Sequence, residues 1–316
     1  MALPTNAFAT YEAIGNREDL SNIIYRIDPT DTPFMSGIAR ETASAVNHEW
    51  QTQALAGASS TNYQLEGDDI VADAATPTVR LGNIAQISRK SAQVSGTQQA
   101  VIHAGRGNEL DCQVMLKGLE LKRDMETTLV GTNQAKATGN DTTVRKLASI
   151  LSWIKSNTSK AGSDPSAADG TGTRTDGTQR AFTEAMLKTV LNSIWTNGGK
   201  PNNIMTGAFN KQVFSTFTGR STPIEQATSK KIVASVDAYE SDFGKLSVIP
   251  NRFQRSRDVL VLEMDKWAMA TVKGRSMLSI PLARTGDSER RAVVSEYTLV
   301  ARNEKASGGV FDLTTS

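Results

Sequence analysis

The sequence NELDCQVMLKGLELKRDMETTLVG, residues 108–131, decides the fold because it predicts one long amphipathic helix. Asn108 is a favourable N-cap, Glu109 and Asp111 suit the positive end of the helix dipole, and Gly131 is a natural stop. At about 1.5 Å per residue the helix would be roughly 33 Å long. We therefore expect it to span the width of a domain.

This helix is predicted to be apolar on two sides. One stripe consists of Leu110, Val114, Leu121, Met125 and Leu129. A second stripe, on a different side, consists of Cys112, Leu116 and Leu119. Because each apolar stripe needs another element to cover it, the helix needs two partners. One is a sheet of its own chain, and the other is either more of the same core or a neighbouring copy of the chain.

Composition limits the classes of protein that remain. The chain has 316 residues, 38% of them apolar, which suffices for about two domains with real cores. Its 35 lysines and arginines nearly balance 33 aspartates and glutamates, so overall charge does not favour nucleic acid or an acidic membrane. The single cysteine, Cys112, excludes an intrachain disulfide and is expected to be a small buried hydrophobe.

The termini and the apolar runs give no sign of export or membrane insertion. The first residues lack a basic region followed by an apolar one, and no run of about 18 apolar residues occurs. We therefore expect a protein that is made and kept in the cytoplasm, without membrane contact.

The residues before the long helix predict an arm and a long hairpin. DPTDTP, residues 28–33, contains two prolines that impose an extended or turning path, so residues 1–46 are predicted to form an arm. HEWQTQALAG and TVRLGNIAQISRKSAQVSGT are strand-like, and residues 47–96 are predicted to form a two-stranded excursion. An isolated hairpin is marginally stable in water, so it should lie on something else.

The predicted hairpin is acidic. No lysine or arginine occurs between Arg40 and Arg80, whereas the interval contains the carboxylates Glu41, Glu49, Glu66, Asp68, Asp69 and Asp73. Two interpretations stay open. The charges belong to a solvated loop by chance, or the acidic tip pairs with a basic surface on another molecule.

The second half of the chain divides into a loop, an α/β region and a hairpin. Residues 156–180 have almost no large apolar side chain to offset the entropy of ordering, so an exposed flexible loop is predicted. Helix and strand patterns then alternate to about residue 264. SMLSIPLART and RRAVVSEYTLVARN, joined by a Gly-Asp turn, predict a terminal β-hairpin that packs on the long helix.

No pattern indicates a catalytic, cofactor or metal site. His48 and His103 lack neighbours at metal-ligand spacing, and both are expected to be structural. Asp68 and Asp69 lie in a flexible region, which is a poor place to hold a general acid and base. Basic residues cluster only locally, so contact with DNA would be weak, sequence-independent and sensitive to salt. The chain is predicted to be a building block; an enzyme with an unrecognised site in the α/β region is the alternative.

A family likeness runs through nearly the whole chain. It is carried, in order, by REDLSNIIYRIDPTDTPFMSGI, HEWQTQALA, RLGNIAQISRKSAQVSGTQQAV, GRGNELDCQVMLKGLELKRDMETTLV, WTNGGKPNNIMTGAFNK, YESDFGKLSVIPNR and LARTGDSERRAVVSEYTLVARNEKASG. These segments resemble the major capsid (head) proteins of tailed double-stranded-DNA bacteriophages. Another phage structural protein is the nearer alternative, although the long helix argues against mostly-β tail-tube and decoration proteins.

The resemblance implies an α+β protein with the Hong Kong 97-type phage capsid fold. Residues 1–46 would be the N-terminal arm and 47–96 the extended β-hairpin loop. The peripheral domain would comprise 97–155 and 265–316, with a spine helix at 109–130 and the terminal β-hairpin. The α/β axial domain would comprise 156–264, including the flexible loop 156–180.

The resemblance also implies how the chain works. Copies would assemble into pentamers and hexamers and then into the icosahedral head of the virion, in the host cytoplasm, around double-stranded DNA. Because the chain begins almost directly with the arm, we expect a separate scaffolding protein or a scaffolding segment that this sequence lacks; portal and decoration proteins are further expected partners. As a hypothesis, the acidic tip with Glu66, Asp68 and Asp69 lies on a neighbour's basic surface formed by Arg252, Arg255 and Arg257.

Overall fold

The computed structural model describes residues 28–70, 72–102, 105–217 and 238–316, in which helices and strands are mixed as in the predicted α+β class. Its α-helices are α1 (Pro33–Gly37), α2 (Gly96–Ala100), α3 (Glu109–Glu126), α4 (Ile150–Trp153), α5 (Glu184–Thr196) and α6 (Ala208–Ser215). Its strands are β1 (Ala39–Ala43), β2 (Asn47–Thr52), β3 (Val79–Ile84), β4 (Gln86–Ser95), β5 (Thr158–Ser159), β6 (Asn203–Thr206), β7 (Ala238–Ser241), β8 (Gly244–Pro250), β9 (Val259–Leu262), β10 (Trp267–Val272), β11 (Leu278–Leu282), β12 (Ser288–Ala301) and β13 (Gly308–Val310).

The long strand β12 organises a five-stranded sheet. It pairs antiparallel with β10 and β11 along one edge and with β4 along the other, and β1 adds to β10 in parallel. The β11–β12 pair is the predicted terminal hairpin. Residues 288–297 of β12 are paired with β4, and residues 292–301 are all buried.

The predicted long helix is present as α3 and packs on this sheet. The Asn108 side chain accepts a hydrogen bond from the backbone N–H of Asp111 at 3.1 Å, which makes it the N-cap. A π-helical turn, Thr127–Gly131, continues α3 and ends at the predicted stop. The first stripe of the helix joins a core cluster with β12, whose shared members are Leu121, Met125, Leu129, Val293, Tyr297 and Leu299.

Strands β2 and β3 form a two-stranded ribbon that is clamped at its base. The Trp50 indole N–H donates to the Ala301 carbonyl at 2.9 Å, and its ring lies 5.4 Å from that of Trp153. Buried Asn83 donates to the Leu299 carbonyl at 2.8 Å and accepts from the Ala148 N–H at 2.8 Å. These contacts fix where the ribbon leaves the body, while residues 53–70 and 72–78 beyond it are exposed.

Two segments beside the ribbon pair with distant strands. β4, at the end of the predicted hairpin 47–96, pairs with β12 over ten residues and belongs to the five-stranded sheet. Residues 1–27 of the predicted arm 1–46 are outside the described residues; of the rest, Phe34 and Met35 are buried in the main core and β1 pairs with β10. Each segment gains a hydrogen-bonding neighbour that is distant in sequence, which a local pattern cannot reveal.

A six-stranded sheet forms the second body, in the order β5-β13-β9-β6-β8-β7. Helix α5 covers it, burying Leu187, Val190 and Ile194 in a cluster that also contains Val259 and Val261. The chain end was predicted to lie entirely with the terminal hairpin, but β13 pairs with β9 and β5 in this second sheet. The Gly-rich sequence of β13 has no strand pattern, so pairing alone identifies it.

The prediction that residues 156–180 form an exposed loop is also wrong. Asn157, Pro165, Gly170 and Arg174 are buried, and the segment is bound to the C-terminal residues by many hydrogen bonds. Gly162 packs so closely that a Cβ there would lie 2.0 Å from the Thr175 carbonyl oxygen. Polar contacts and close backbone approach replace the missing apolar side chains.

Candidate assembly surfaces

The acidic residues predicted as a contact site lie at the tip of the loop beyond the ribbon. The backbone N–H of Asp68 donates to the Leu65 carbonyl at 3.3 Å, and Gly67 has a φ of +83°, so the chain turns here. Glu66, Asp68 and Asp69 are exposed and form no ion pair with any residue that the structure describes. We call residues 65–70 the loop tip.

The same loop exposes large apolar side chains, which the sequence reasoning did not single out. Leu65 is 80% exposed and Ile70 is 100% exposed, on either side of the acidic residues. Leu55 and Tyr63 are 96% and 78% exposed. Exposed apolar side chains in a loop that has no core of its own are typical of an interaction site. The available signal was the presence of apolar residues inside a loop with acidic surroundings.

The three predicted acceptor arginines do not form one free basic surface. Arg252 is exposed. Arg255 donates to Asp176 at 2.6 Å and lies 3.2 Å from Asp258. Arg257 donates to Asp312 at 2.9 Å and to Asp176 at 3.2 Å. Two of the three cations are therefore already paired within the chain, which weakens their candidacy as a receptor for another copy's loop.

Arg255 and Arg257 belong to a charge network that holds residues 156–180. Arg174, 3% exposed, donates to Asp164 at 2.6 Å and to the Ile154 carbonyl at 2.7 Å, and its guanidinium lies over the Phe311 ring. Burial lowers its pKa to about 10, although nearby carboxylates, first that of Asp258, oppose the change. Arg174 therefore stays charged at neutral pH and serves as the central cation of the network.

Two carboxylates of this network have opposite pKa shifts. Burial raises the pKa of Asp258 to about 7, against the effect of Arg255 and Arg174. Burial also acts on Asp312, but there the backbone N–H groups of Gly162, Gly177 and Ala161 outweigh it and the pKa is lowered. Because Asp258 is only 1% exposed, it has no access to a substrate.

A second buried carboxylate joins the arm, the long helix and the six-stranded body. Glu126 accepts hydrogen bonds from the backbone N–H groups of Phe34 and Met35, both at 2.9 Å, and from the Asn251 amide at 2.7 Å. Burial raises its pKa, and the three hydrogen bonds oppose that effect. This residue fixes the relative positions of three parts of the chain.

The second stripe of α3 is only partly covered. Cys112, Leu116 and Leu119 are half-buried, and the neighbouring Met115 is 48% exposed. The expectation that Cys112 is buried is wrong, because it lies on the side of α3 that faces away from the sheet. A half-covered apolar flank leaves room for the second partner predicted from the sequence.

The described part of the chain does not assemble a recognisable reaction centre. A groove of about 600 Å³ lies between the ribbon and residues 136–143, and its charged lining side chains are Glu49, Arg80 and Lys136. Asp258, the acid with the strongly raised pKa, is outside it. His48 lies 3.5 Å from Glu41 at the ribbon base, whereas His103 is outside the described residues.

Residues 28–70, 72–102, 105–217 and 238–316 contain neither a metal-binding cluster nor a membrane-spanning helix. In these ranges no group of three or more histidine, cysteine or carboxylate side chains is arranged to hold a metal ion. No helix there is both long enough and apolar enough to cross a membrane.

Comparison with known proteins identifies the family. The sequence profile described as "SU10 major capsid protein" matches residues 3–314. A major capsid protein of Escherichia phage Phieco32 is 27% identical over 349 residues, covering 98% of each chain. The fold resembles that of a capsid chain from a native GTA particle, with a TM-score of 0.65 at 8% identity, 96% of this chain and 98% of that chain being covered. A chain from Gordonia phage Cozz aligns with a TM-score of 0.61 at 10% identity, over 99% and 98% of the two chains. This chain therefore belongs to the SU10 major capsid protein family and has the phage capsid fold that its sequence predicted.

Proposed function

We propose that this major capsid protein of a tailed phage self-assembles through pentamers and hexamers into the icosahedral head that encloses the double-stranded DNA genome. The observation that carries the proposal is the loop beyond the ribbon. It has no core of its own, and it leaves Leu65 and Ile70 largely or fully exposed. An isolated chain gains nothing from exposing such residues. In a shell, each loop would bury these side chains on a neighbouring copy.

The proposed assembly uses heterologous contacts, in which a surface of one copy meets a different surface of the next. Such contacts close into rings, and rings with several interfaces per subunit hold together more strongly than any one contact does. The half-covered flank of α3, with Leu116 and Leu119, supplies a second apolar surface for this purpose. The six-stranded body is proposed as the axial domain and the five-stranded sheet with α3 as the peripheral domain.

We also propose scaffolding, portal and decoration proteins and packaged DNA as partners of the shell. A scaffolding protein would set the curvature of the growing shell, a portal would occupy one vertex, and decoration proteins would bind the finished surface. Contact with packaged DNA would be sequence-independent and would weaken with salt. The acidic loop tip, with Glu66, Asp68 and Asp69, is proposed as a contact between copies. Of the three arginines predicted to receive it, Arg252 is the exposed one.

Negative-stain electron microscopy combined with light scattering tests the proposed function. The purified chain, alone and with scaffolding protein co-expressed, should form closed shells, tubes or rings of five or six copies. Only a compact monomer at every concentration and salt would overturn self-assembly. That result would redirect attention to the α/β region as the seat of an enzymatic activity.

A further inference from the structure

A histidine and a carboxylate meet where the ribbon leaves the body. The His48 Nε2 atom of β2 lies 3.5 Å from one carboxylate oxygen of Glu41 in β1, and the two side chains are 19% and 29% exposed. Strand β1 belongs to the five-stranded sheet, so this contact joins the ribbon to the body. Glu41 is itself held in place, because the Arg302 Nε atom donates to its other carboxylate oxygen at 3.1 Å.

This contact differs from the other two anchors of the ribbon base. Trp50 donates to the Ala301 carbonyl and Asn83 donates to the Leu299 carbonyl, so both attach the ribbon to the end of β12. Neither bond involves a group that titrates near neutral pH. His48 instead reaches β1, a different strand of the sheet. Because two anchors on β12 fix the position of the ribbon, a third contact on another strand restricts its rotation about them.

The charged groups around His48 are few. Glu41 faces it from β1, and Arg302, which follows β12, lies on the far side of the Glu41 carboxylate. Glu49 pairs with Arg80 at 3.4 Å, on the opposite face of the ribbon because side chains alternate along a strand. The neighbours of His48 on its own face of β2 and β3 are uncharged. Glu41 is therefore the carboxylate that the described residues place against this imidazole.

Such a pair responds to protons. Histidine side chains ordinarily gain their charge as pH falls from about 8 to about 5, whereas carboxylates ordinarily lose theirs only near about pH 4. A protonated imidazole forms a charge-assisted hydrogen bond with a carboxylate, while a neutral ring at 3.5 Å makes a much weaker contact. We propose that the His48–Glu41 pair is a proton-operated clasp, which stiffens the base of the ribbon as pH falls to about 5.5 and loosens it as pH rises to about 8.

The clasp acts on a long segment of the chain. Residues 53–70 and 72–78 extend beyond the ribbon and carry the exposed Leu65 and Ile70, so a small rotation at the base displaces side chains that are far from it. The following consequence rests on the proposed self-assembly. A stiffer base orders the loop before it meets a neighbouring copy, which lowers the entropy lost on docking.

Hydrogen exchange of the unassembled chain tests the clasp. Protection factors of the backbone N–H groups of β2 and β3, taken relative to those of α5, should be about three- to tenfold higher at about pH 5.5 than at about pH 8. The internal reference is needed because Asp258 also makes overall stability depend on pH. In His48→Gln, with its fold checked by circular dichroism, the ratio should be the same at both pH values. A constant ratio in the unsubstituted chain would overturn the clasp.

Matched variants separate the clasp from a merely structural contact. Glu41→Gln removes the partner charge and should abolish the pH dependence as His48→Gln does. Glu49→Gln is the control, because Glu49 follows His48 in β2 but lies on the opposite face of the ribbon, and it should leave the dependence unchanged. Loss of the dependence in Glu49→Gln, or its persistence in Glu41→Gln, would overturn the pairing.

NMR identifies the group that takes up the proton. The chain has only two histidines, so the imidazole signals of His48 are assigned by their loss in His48→Gln. They should shift with pH along the same curve as the protection of the ribbon. His103→Gln, which removes the other histidine, should change neither curve. A His48 ring that keeps one protonation state between about pH 5.5 and about pH 8 would overturn the proposal.

Assembly measurements separate this inference from the proposed function. The rate of shell formation, followed by light scattering, should change with pH about threefold more in the unsubstituted chain than in His48→Gln. Equal pH dependence of the two chains would overturn the role of the clasp in assembly. Absence of shells from the unsubstituted chain at every pH would instead overturn the proposed function, while exchange in the unassembled chain would still decide whether the clasp exists.

Discussion

Residues 53–78 and 156–180 are two polar segments of similar length, yet they differ completely in the structure. The first is exposed almost throughout and carries uncovered apolar residues such as Ile70. The second is packed. Arg174 inside the segment donates to the Asp164 carboxylate, and Asp312 near the C-terminus accepts from three backbone N–H groups of the segment. The comparison teaches that a few buried charges, each with several hydrogen-bond or ion-pair partners, can order a segment that has no apolar core of its own.

Removal of the Arg174 side chain should have the largest effect on this contrast. Arg174→Ala removes the donor to the Ile154 carbonyl and one of the donors to Asp164, and it opens a cavity beside Phe311, so we expect a loss of about 3 kcal/mol in the free energy of unfolding. Urea denaturation of the unassembled chain measures it. Arg252→Ala, at an exposed position, should change stability by less than about 0.5 kcal/mol. Equal effects of the two variants would contradict the network's role.

Asp312 should rank next. Its carboxylate accepts from the N–H groups of Ala161, Gly162 and Gly177 and from Arg257, so Asp312→Ala should cost about 2–3 kcal/mol. Its φ of +61° adds strain for alanine, whereas asparagine tolerates that conformation. Asp312→Asn should therefore lose less stability. Hydrogen exchange at the three backbone N–H groups should accelerate in the alanine variant, and unchanged protection would refute the assignment.

Asp258 should make stability depend on pH. Its pKa is raised from 3.8 when unfolded to about 7 when folded, so the folded chain holds a proton that the unfolded chain has released. This contribution is complete below about pH 4 and is lost as pH rises to about 7, with a slope of up to about 1.4 kcal/mol per pH unit. Asp258→Asn should remove that decline between pH 4 and 7 in urea denaturation. Parallel pH profiles for both chains would show that Asp258 does not titrate there.

Changes in the exposed loop should have the smallest effect on the free energy of unfolding. Leu65→Ser alters a side chain that is 80% exposed, so the unassembled chain should lose less than about 0.5 kcal/mol. Leu121→Ala, at a fully buried position of α3, should lose about 2–5 kcal/mol under the same conditions. Shell yield, by contrast, should fall for Leu65→Ser if the loop docks on a neighbour. A large loss of monomer stability would mean that the loop has an internal partner.

The candidate contact site was only half predictable. The run without lysine or arginine between Arg40 and Arg80 located the acidic tip, because a charge pattern is visible in the sequence. Its predicted acceptor was less well founded, because Arg255 and Arg257 are paired with Asp176 and Asp312, which lie far from them in the sequence.

By itself, the sequence determined the long helix with its Asn108 cap and the terminal hairpin, because periodicity, capping and turn residues act over a few neighbouring positions. The capsid family followed from the resemblance of its segments to phage capsid proteins. Tertiary structure alone decided that β4 joins β12, that β13 returns to the second sheet, and that residues 156–180 are buried around Arg174. Those outcomes depend on hydrogen bonds and ion pairs between residues far apart in the chain. Such pairs leave no periodic trace in the sequence, so only the folded chain shows which partners meet.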